Sequence, residues 1–245
     1  MKITHPLPSQ HTALAIGQIA PVDLRDPAII QMITATAEAL SSPHLREILS
    51  FRTAIQQFLC TELAAAGYVH PPIYMLSGCT DPLNHQTFPA RLNYYGEEVS
   101  VTQSLILQKI LMVMLSPADQ VFWASPNIRM EMGVTAKSYK YAAEFMQVDF
   151  ERKGATMTEM ITFIGGLITR LHEHLNATQA DTLRALRGGL LPVLTEPLAV
   201  HDLEAVKAAH SLLTDDEVER HLADHSGGRP FIITNLKREA YDCFD

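Results

Sequence analysis

Apolar positions in this chain change their spacing several times, and each change predicts an element. From Ala28 to Leu40 they recur every three or four residues behind Asp26 and Pro27, a capped helix that Ser41-Ser42-Pro43 ends. A second helical stripe runs from His44 to Ala66 through Leu45, Ile48, Leu49, Phe51, Ile55, Phe58, Leu59 and Leu63, and Gly67 stops it. Tyr68 to Met75 predicts a strand, confined to a sheet edge by Pro71 and Pro72. Residues 77–93 read as a loop, 94–102 as a strand and Gln103 to Leu115 as a strongly apolar helix. After a strand opening at Val121-Phe122-Trp123-Ala124, the period becomes two: Phe145, Gln147, Asp149 and Glu151 alternate with Met146, Val148 and Phe150. Met157 to Leu175 returns to helical spacing. Residues 177–225 predict a small helical insertion, its last helix opened by a capping box from Thr214 to Glu217. Pro230 to Leu236 is a strand. Short strands among helices make an α+β fold, with residues 1–26 an irregular lead-in and 27–245 the domain proper.

Met146, Val148 and Phe150 already supply the one apolar face that a half-buried strand needs. Gln147, Asp149 and Glu151 make the other face more polar than structure requires. With this strand paired antiparallel to the one from Val121 across a long loop, Gln147 and Asp149 are expected to lie opposite Arg129. A guanidinium forks onto phosphate or carboxylate oxygens, a carboxylate takes an ammonium, and an amide donates to a carbonyl. The set suits a small zwitterion beside a phosphate; a solvated hairpin with a cross-strand ion pair fits the pattern equally well. Lys109 stands among Leu105, Leu107, Ile110, Leu111 and Val113, where a lysine either snorkels to water or meets a carboxylate. His221 and His225 read as solvated histidines on a polar helix, and His172 and His174 face different sides of theirs, so no metal site is expected.

Charge and composition narrow the classes. A net charge of −8 disfavours a nucleic-acid partner such as tRNA, which wants a basic face for its phosphates. Cys60, Cys79 and Cys243 are far apart and form no CxxC, which fits a reducing cytosol better than a disulfide framework. No run approaches the ~18 apolar residues of a membrane span, and the first 26 residues hold no apolar signal core. A cytoplasmic protein without a membrane partner is expected.

Several ordered stretches together resemble a known family. Ile128-Arg129-Met130-Glu131, the loop after it and Glu144-Phe145-Met146-Gln147-Val148-Asp149-Phe150-Glu151 resemble motif 2 of class II aminoacyl-tRNA synthetases, in the aspartate/asparagine/lysine branch. The helix to Ala66, Gly67 and the proline-containing stretch after it resemble motif 1, the dimer interface. Thr80 to His85, Thr102 to Lys109 and Arg238-Glu239-Ala240-Tyr241-Asp242 resemble the archaeal-type asparagine synthetases, relatives without a tRNA-binding domain. One departure is Ile106, where the aspartyl-type pattern often has Gln.

The resemblance implies an antiparallel sheet flanked by helices, shortened at its C-terminal end because the motif 3 stretch is missing from the 245 residues. It implies ATP and Mg²⁺ as cofactors, and aspartate and ammonia as reactants, with β-aspartyl-adenylate as intermediate. It implies a homodimer, and a second polypeptide as one source of motif 3. Under it, Arg129 and Gln147 are catalytic, and Ser104, Lys109, Gln147, Asp149, Asp81, Asn84 and His85 bind the amino acid. Arg129, Glu131, Lys137 and Lys140 bind ATP. Two other classes stay open: a non-catalytic paralogue that binds an amino acid or a partner subunit, and an enzyme that adenylates another carboxylate.

Overall fold

The computed structural model describes residues 25–78, 87–132, 142–195 and 197–236. The chain divides into two compact units, residues 1–46 and 47–245. The first holds helix Pro27–Leu40 (α1), whose start is capped by Asp26 Oδ1 accepting the Ala28 N–H at 2.8 Å. Helix Leu45–Ala65 (α2) begins at the boundary and runs on in the second unit.

In the second unit come strands Leu76–Ser77 (β1), Thr87–Phe88 (β2), Arg91–Tyr94 (β3) and Glu97–Val101 (β4), then helix Ile106–Leu115 (α3). Strands Gln120–Ile128 (β5), Met130–Glu131 (β6) and Glu144–Arg152 (β7) follow, then helices Met157–Thr178 (α4) and Ala180–Arg187 (α5). The chain closes on strand Ala199–Asp202 (β8), helices Leu203–His210 (α6) and Asp215–His225 (α7), and strand Phe231–Thr234 (β9). Among the described residues the strands make four small sheets, β1-β4-β3, β2-β6, β5-β7 and β8-β9, where one antiparallel sheet was expected. The last pair is parallel, joined through α6 and α7.

The centre of the unit is the β5–β7 ladder, nine residues long on each strand. Its two faces meet different helices. Phe122 joins Leu63 and Tyr68 in a core to which Cys60, Val148, Phe150 and Phe163 pack, so this face rests on α2 and α4. Val121 and Trp123, on the other face, pack with Leu105 and Val113 of the α3 region. Seating of α4 begins at Thr156, whose hydroxyl accepts the Glu159 N–H while the Glu159 carboxylate takes the Thr156 N–H, a capping box. The Thr156 N–H and then the Thr156 hydroxyl, which donates to Glu159 Oε2 at 2.9 Å, hold the Glu159 carboxyl below its usual range.

Several sequence expectations change here for local reasons. Residues 68–75 do not form a strand: one parallel bridge, Val69 to Val121, is all that pairs. Pro71 and Pro72 have no N–H to continue a ladder. The segment still seals the free edge of β5, because Val69 O accepts the Phe122 N–H, His70 Nε2 accepts the Ala124 N–H and Pro72 O accepts the Trp123 indole N–H. The expected loop 77–93 contains β2 and β3, and the strand expected from 94 starts at Glu97. Tyr95 and Gly96, at φ 53° and 86°, turn the β3–β4 hairpin, and the conformation suits the glycine while straining the tyrosine. Helix α3 begins at Ile106, three residues later than expected, since Thr102 to Ser104 are spent on buried polar contacts. The helical insertion contains strand β8, which pairs with β9, and β9, α6 and α7 share a core around Leu203, Val218 and Leu222. No helix among the described residues is long and apolar enough to cross a membrane.

Candidate active site

Register decides which side chains meet. In the β5–β7 ladder Val121 faces Glu151, Trp123 faces Asp149, Ser125 faces Gln147 and Asn127 faces Phe145. Side chains alternate between faces, so these eight residues share one side. Arg129, two beyond Asn127, has the same parity, and its N–H donates to Ala143 O at 2.9 Å. The expected opposition of Arg129 to Gln147 and Asp149 is therefore corrected. Arg129 stands level with Ala143, and Asp149 is six residues further along, about 20 Å at ~3.4 Å per residue. Gln147 lies between them.

At the far end sits Lys109. It is completely buried, and its ammonium contacts Asp149 Oδ2 at 2.5 Å and Glu151 Oε1 at 2.9 Å. Of the two readings of this lysine, the carboxylate partner holds and snorkelling does not. The reason is geometric: α3 lies on the polar face of the ladder with Leu105 and Val113 against Val121 and Trp123, which aims position 109 at the strand residues opposite those two. Both carboxylates keep about a quarter of their exposure, at 25% and 27%, so the cluster is open on one side. One buried cation between two anions leaves one negative charge, which favours an incoming ammonium or cation.

At the near end, Arg129 Nε donates to Gln103 O at 3.0 Å and its guanidinium lies 5.0 Å from the Phe145 ring centroid. These two contacts pin the guanidinium to the motif. Gln103 Nε2 donates to Thr87 Oγ1 at 2.8 Å, and β2 pairs with β6 so that Thr87 faces Glu131, itself buried. Arg129, Glu131, Gln103 and Thr87 therefore converge. Ser104 is buried, and its hydroxyl accepts the Ile106 N–H at 3.2 Å at the start of α3. Asp81, Asn84, His85, Lys137 and Lys140 lie outside the described residues. Among the described residues no three His, Cys, Asp or Glu side chains gather as a metal site.

Residues 33–234 match the family described as class II tRNA synthetases (D, K and N). The chain belongs to that family. The asparaginyl-tRNA synthetase of Entamoeba histolytica, solved with asparaginyl-adenylate, superposes with a TM-score of 0.64 at 18% identity, over 84% of this chain and 49% of that one. The Pyrococcus horikoshii asparaginyl-tRNA synthetase, also solved with asparaginyl-adenylate, gives a TM-score of 0.66 at 14% identity, over 78% and 45%. At these identities the likeness is one of fold. The chain spans less than half the length of either solved protein. No curated protein matches it.

Three residues of this face were not expected from sequence. Glu151 was noted on the polar face but not as the second partner of Lys109; the lysine's position on α3, not its spacing, selects it. Asn127, also completely buried, donates to Gln147 Oε1 at 2.7 Å and so orients that amide. Its parity with Ser125 was the available signal. Phe145 supports Arg129 from the aromatic position that opens the alternating strand. Cys60 packs beside the apolar face, and burial pushes its thiol up from the ordinary value, away from nucleophilic use.

Proposed function

We propose that the polar face of β5 and β7 is an amino-acid adenylation site, and that the chain activates the side-chain carboxylate of aspartate for amidation by ammonia without tRNA. The observation that carries this is a wholly buried Lys109 held by Asp149 and Glu151 on the same face as Gln147 and Arg129. A structural strand has no use for that set, since a buried ion cluster is at best neutral for stability.

The chemistry follows from charge. An aspartate side-chain oxygen attacks the α-phosphorus of ATP, and the bond to pyrophosphate breaks. Arg129, fixed by Gln103 and Phe145, stabilises negative charge on the α-phosphate and the attacking carboxylate. Gln147, oriented by Asn127, hydrogen-bonds the reacting acyl group. Lys109 binds the carboxylate that does not react and Asp149 takes the ammonium, so the ligand inserts into the existing cluster by exchanging like for like. Ser104 assists at the ammonium and Glu131 orients the nucleotide. Lys137 and Lys140 contact phosphates, and Asp81, Asn84 and His85 close over the substrate. Ammonia then attacks the acyl carbon, AMP leaves, and a proton passes to solvent. Mg²⁺ would accompany the phosphates of ATP and offset their negative charge. The exposed Ile48 and Leu49 on α2 support pairing of two chains through that helix.

A non-catalytic amino-acid binder is the second reading. It keeps the Lys109 cluster for the amino acid and is favoured by Arg129, the group assigned to the phosphate, already being engaged by Gln103 O and the Phe145 ring. AMP release from ATP, Mg²⁺, aspartate and ammonia separates the two. The enzyme reading requires turnover, and Arg129→Ala should lower it by ~10²–10³ with the fold intact. Turnover undiminished in that variant would remove Arg129 from the chemistry. Absence of AMP together with aspartate binding in calorimetry would establish the binder.

A further inference from the structure

Asn127 is retained at a cost that its packing does not explain. It is 1% exposed, on the polar face of the ladder and one pair along from Gln147. Its Oδ1 is shut off from solvent and accepts no hydrogen bond among the described residues. A buried acceptor without a donor destabilises a fold, and an apolar side chain of similar size would avoid it. What the amide does on this face is donate, from Nδ2 to Gln147 Oε1 at 2.7 Å.

That bond fixes which way Gln147 faces. A glutamine amide that nothing holds can offer a ligand either its oxygen or its nitrogen. With Oε1 held from the interior by Asn127, the half-buried Gln147 turns Nε2 outward, and Nε2 has no partner among the described residues. Arg129 shares the face by parity and carries donors only. The part of the face assigned to the reacting acyl group therefore presents N–H groups from both Gln147 and Arg129. Two carboxylate oxygens match that pair. A carboxamide does not, because whichever way it turns its NH2 meets one of the two donors.

We propose that Asn127 is a positioning residue for specificity: by locking Gln147 with its N–H toward the ligand, it makes the site take an acid and reject the corresponding amide. The inference rests on the adenylation reading above, in which aspartate is the substrate and asparagine the product. It adds that amidation itself weakens the hold of the site on the acyl group.

Calorimetric titration of the whole chain with L-aspartate and L-asparagine, which differ only at the group that Gln147 would face, tests this. The wild-type chain should bind aspartate about tenfold or more tighter than asparagine. Asn127→Leu fills a similar volume without the donor and frees the Gln147 amide to turn. Asparagine should then bind about tenfold tighter than it does to wild type, with aspartate little changed. Asn127→Ala should do the same, and it answers the question if leucine does not fit. A gain of affinity for one ligand is not what a merely loosened site gives. Gln147→Glu should go further, since its carboxylate can accept from Asn127 and still present an oxygen, so that asparagine binds at least as well as aspartate. An unchanged aspartate-to-asparagine ratio in the Asn127 variants, equal weakening of both ligands there, or a retained aspartate preference in Gln147→Glu would overturn the proposal. So would a wild-type chain that binds the two equally or prefers asparagine. If wild type binds neither, the amino-acid reading itself falls and takes this proposal with it.

Discussion

The two faces of the β5–β7 ladder hang on the same backbone and differ only in residue parity, yet they answer to different demands. On one, Phe122, Val148 and Phe150 interlock with Leu63, Tyr68 and Phe163; Tyr68 and Phe150 meet edge-on at 5.6 Å, and Phe150 and Phe163 at 5.7 Å. On the other, Lys109, Asp149, Glu151, Gln147 and Asn127 occupy space that apolar side chains would fill at less cost. A sheet that needs a stable core and a charged site can have both if the helices divide the labour. Helices α2 and α4 cover the aromatic face; α3 covers the polar one with apolar residues at its edges and one lysine at its centre.

That division is open to attack, and the sharpest attack is Phe122→Ala. Phe122 is buried in the aromatic cluster, so the cavity should destabilise the chain by about 3–5 kcal/mol, measured by denaturant unfolding. Aspartate affinity of the folded fraction should stay the same; a parallel loss would mean that the faces are coupled. Next is Lys109→Met, which preserves volume but leaves two carboxylates without their cation. The expected cost is about 3 kcal/mol, at the low end for a broken buried pair because both carboxylates are partly exposed. Unlike Phe122→Ala, it should also abolish aspartate binding, and retained binding would contradict the placement of the ligand.

A smaller effect sharpens the polar side alone. Asn127→Ala removes the bond that orients Gln147, for a loss of about 1–2 kcal/mol in stability and a lower turnover with little change in aspartate affinity. An unchanged turnover would make Asn127 a packing residue.

The smallest test lies away from the ladder and serves as its control. His221 stacks between His210 and His225, with ring centroids 4.0 and 4.3 Å apart. Desolvation, then the two neighbouring imidazoles, holds His221 below its ordinary value of 6.5, with Asp224 opposing. The unfolded chain therefore binds this proton more readily, and stability is lost as pH falls below about 6.5. Hydrogen exchange in α6 and α7 should quicken between pH 7 and pH 5 and do so less in His221→Gln, with no matching change in the ladder. Equal quickening in both strands of the ladder would show that the two regions unfold together.

Parity made both faces readable before any coordinates: Gln147, Asp149 and Glu151 separate from Met146, Val148 and Phe150 by period two alone. The motif 2 stretch likewise pointed to the class II fold. Other features were hidden for identifiable reasons. Residues 68–75 carry strand-like apolar residues, but two prolines without N–H groups leave a single bridge. Strand β8 is four residues long and pairs in parallel with a strand more than two dozen positions away, a contact no local pattern announces.

By itself the amino-acid order determined which residues are polar on a half-buried strand, where the capped helices α1, α4 and α7 begin, and that a lysine stands in an apolar helix. Those follow from local sterics and spacing, which act within a few residues. Only the tertiary structure decided that the lysine meets two carboxylates at 2.5 and 2.9 Å, and that Arg129 stands level with Ala143 rather than with Asp149. Register and helix placement set those distances. Both are chosen by how whole faces bury against one another, since a shift of one residue would exchange the aromatic face for the charged one.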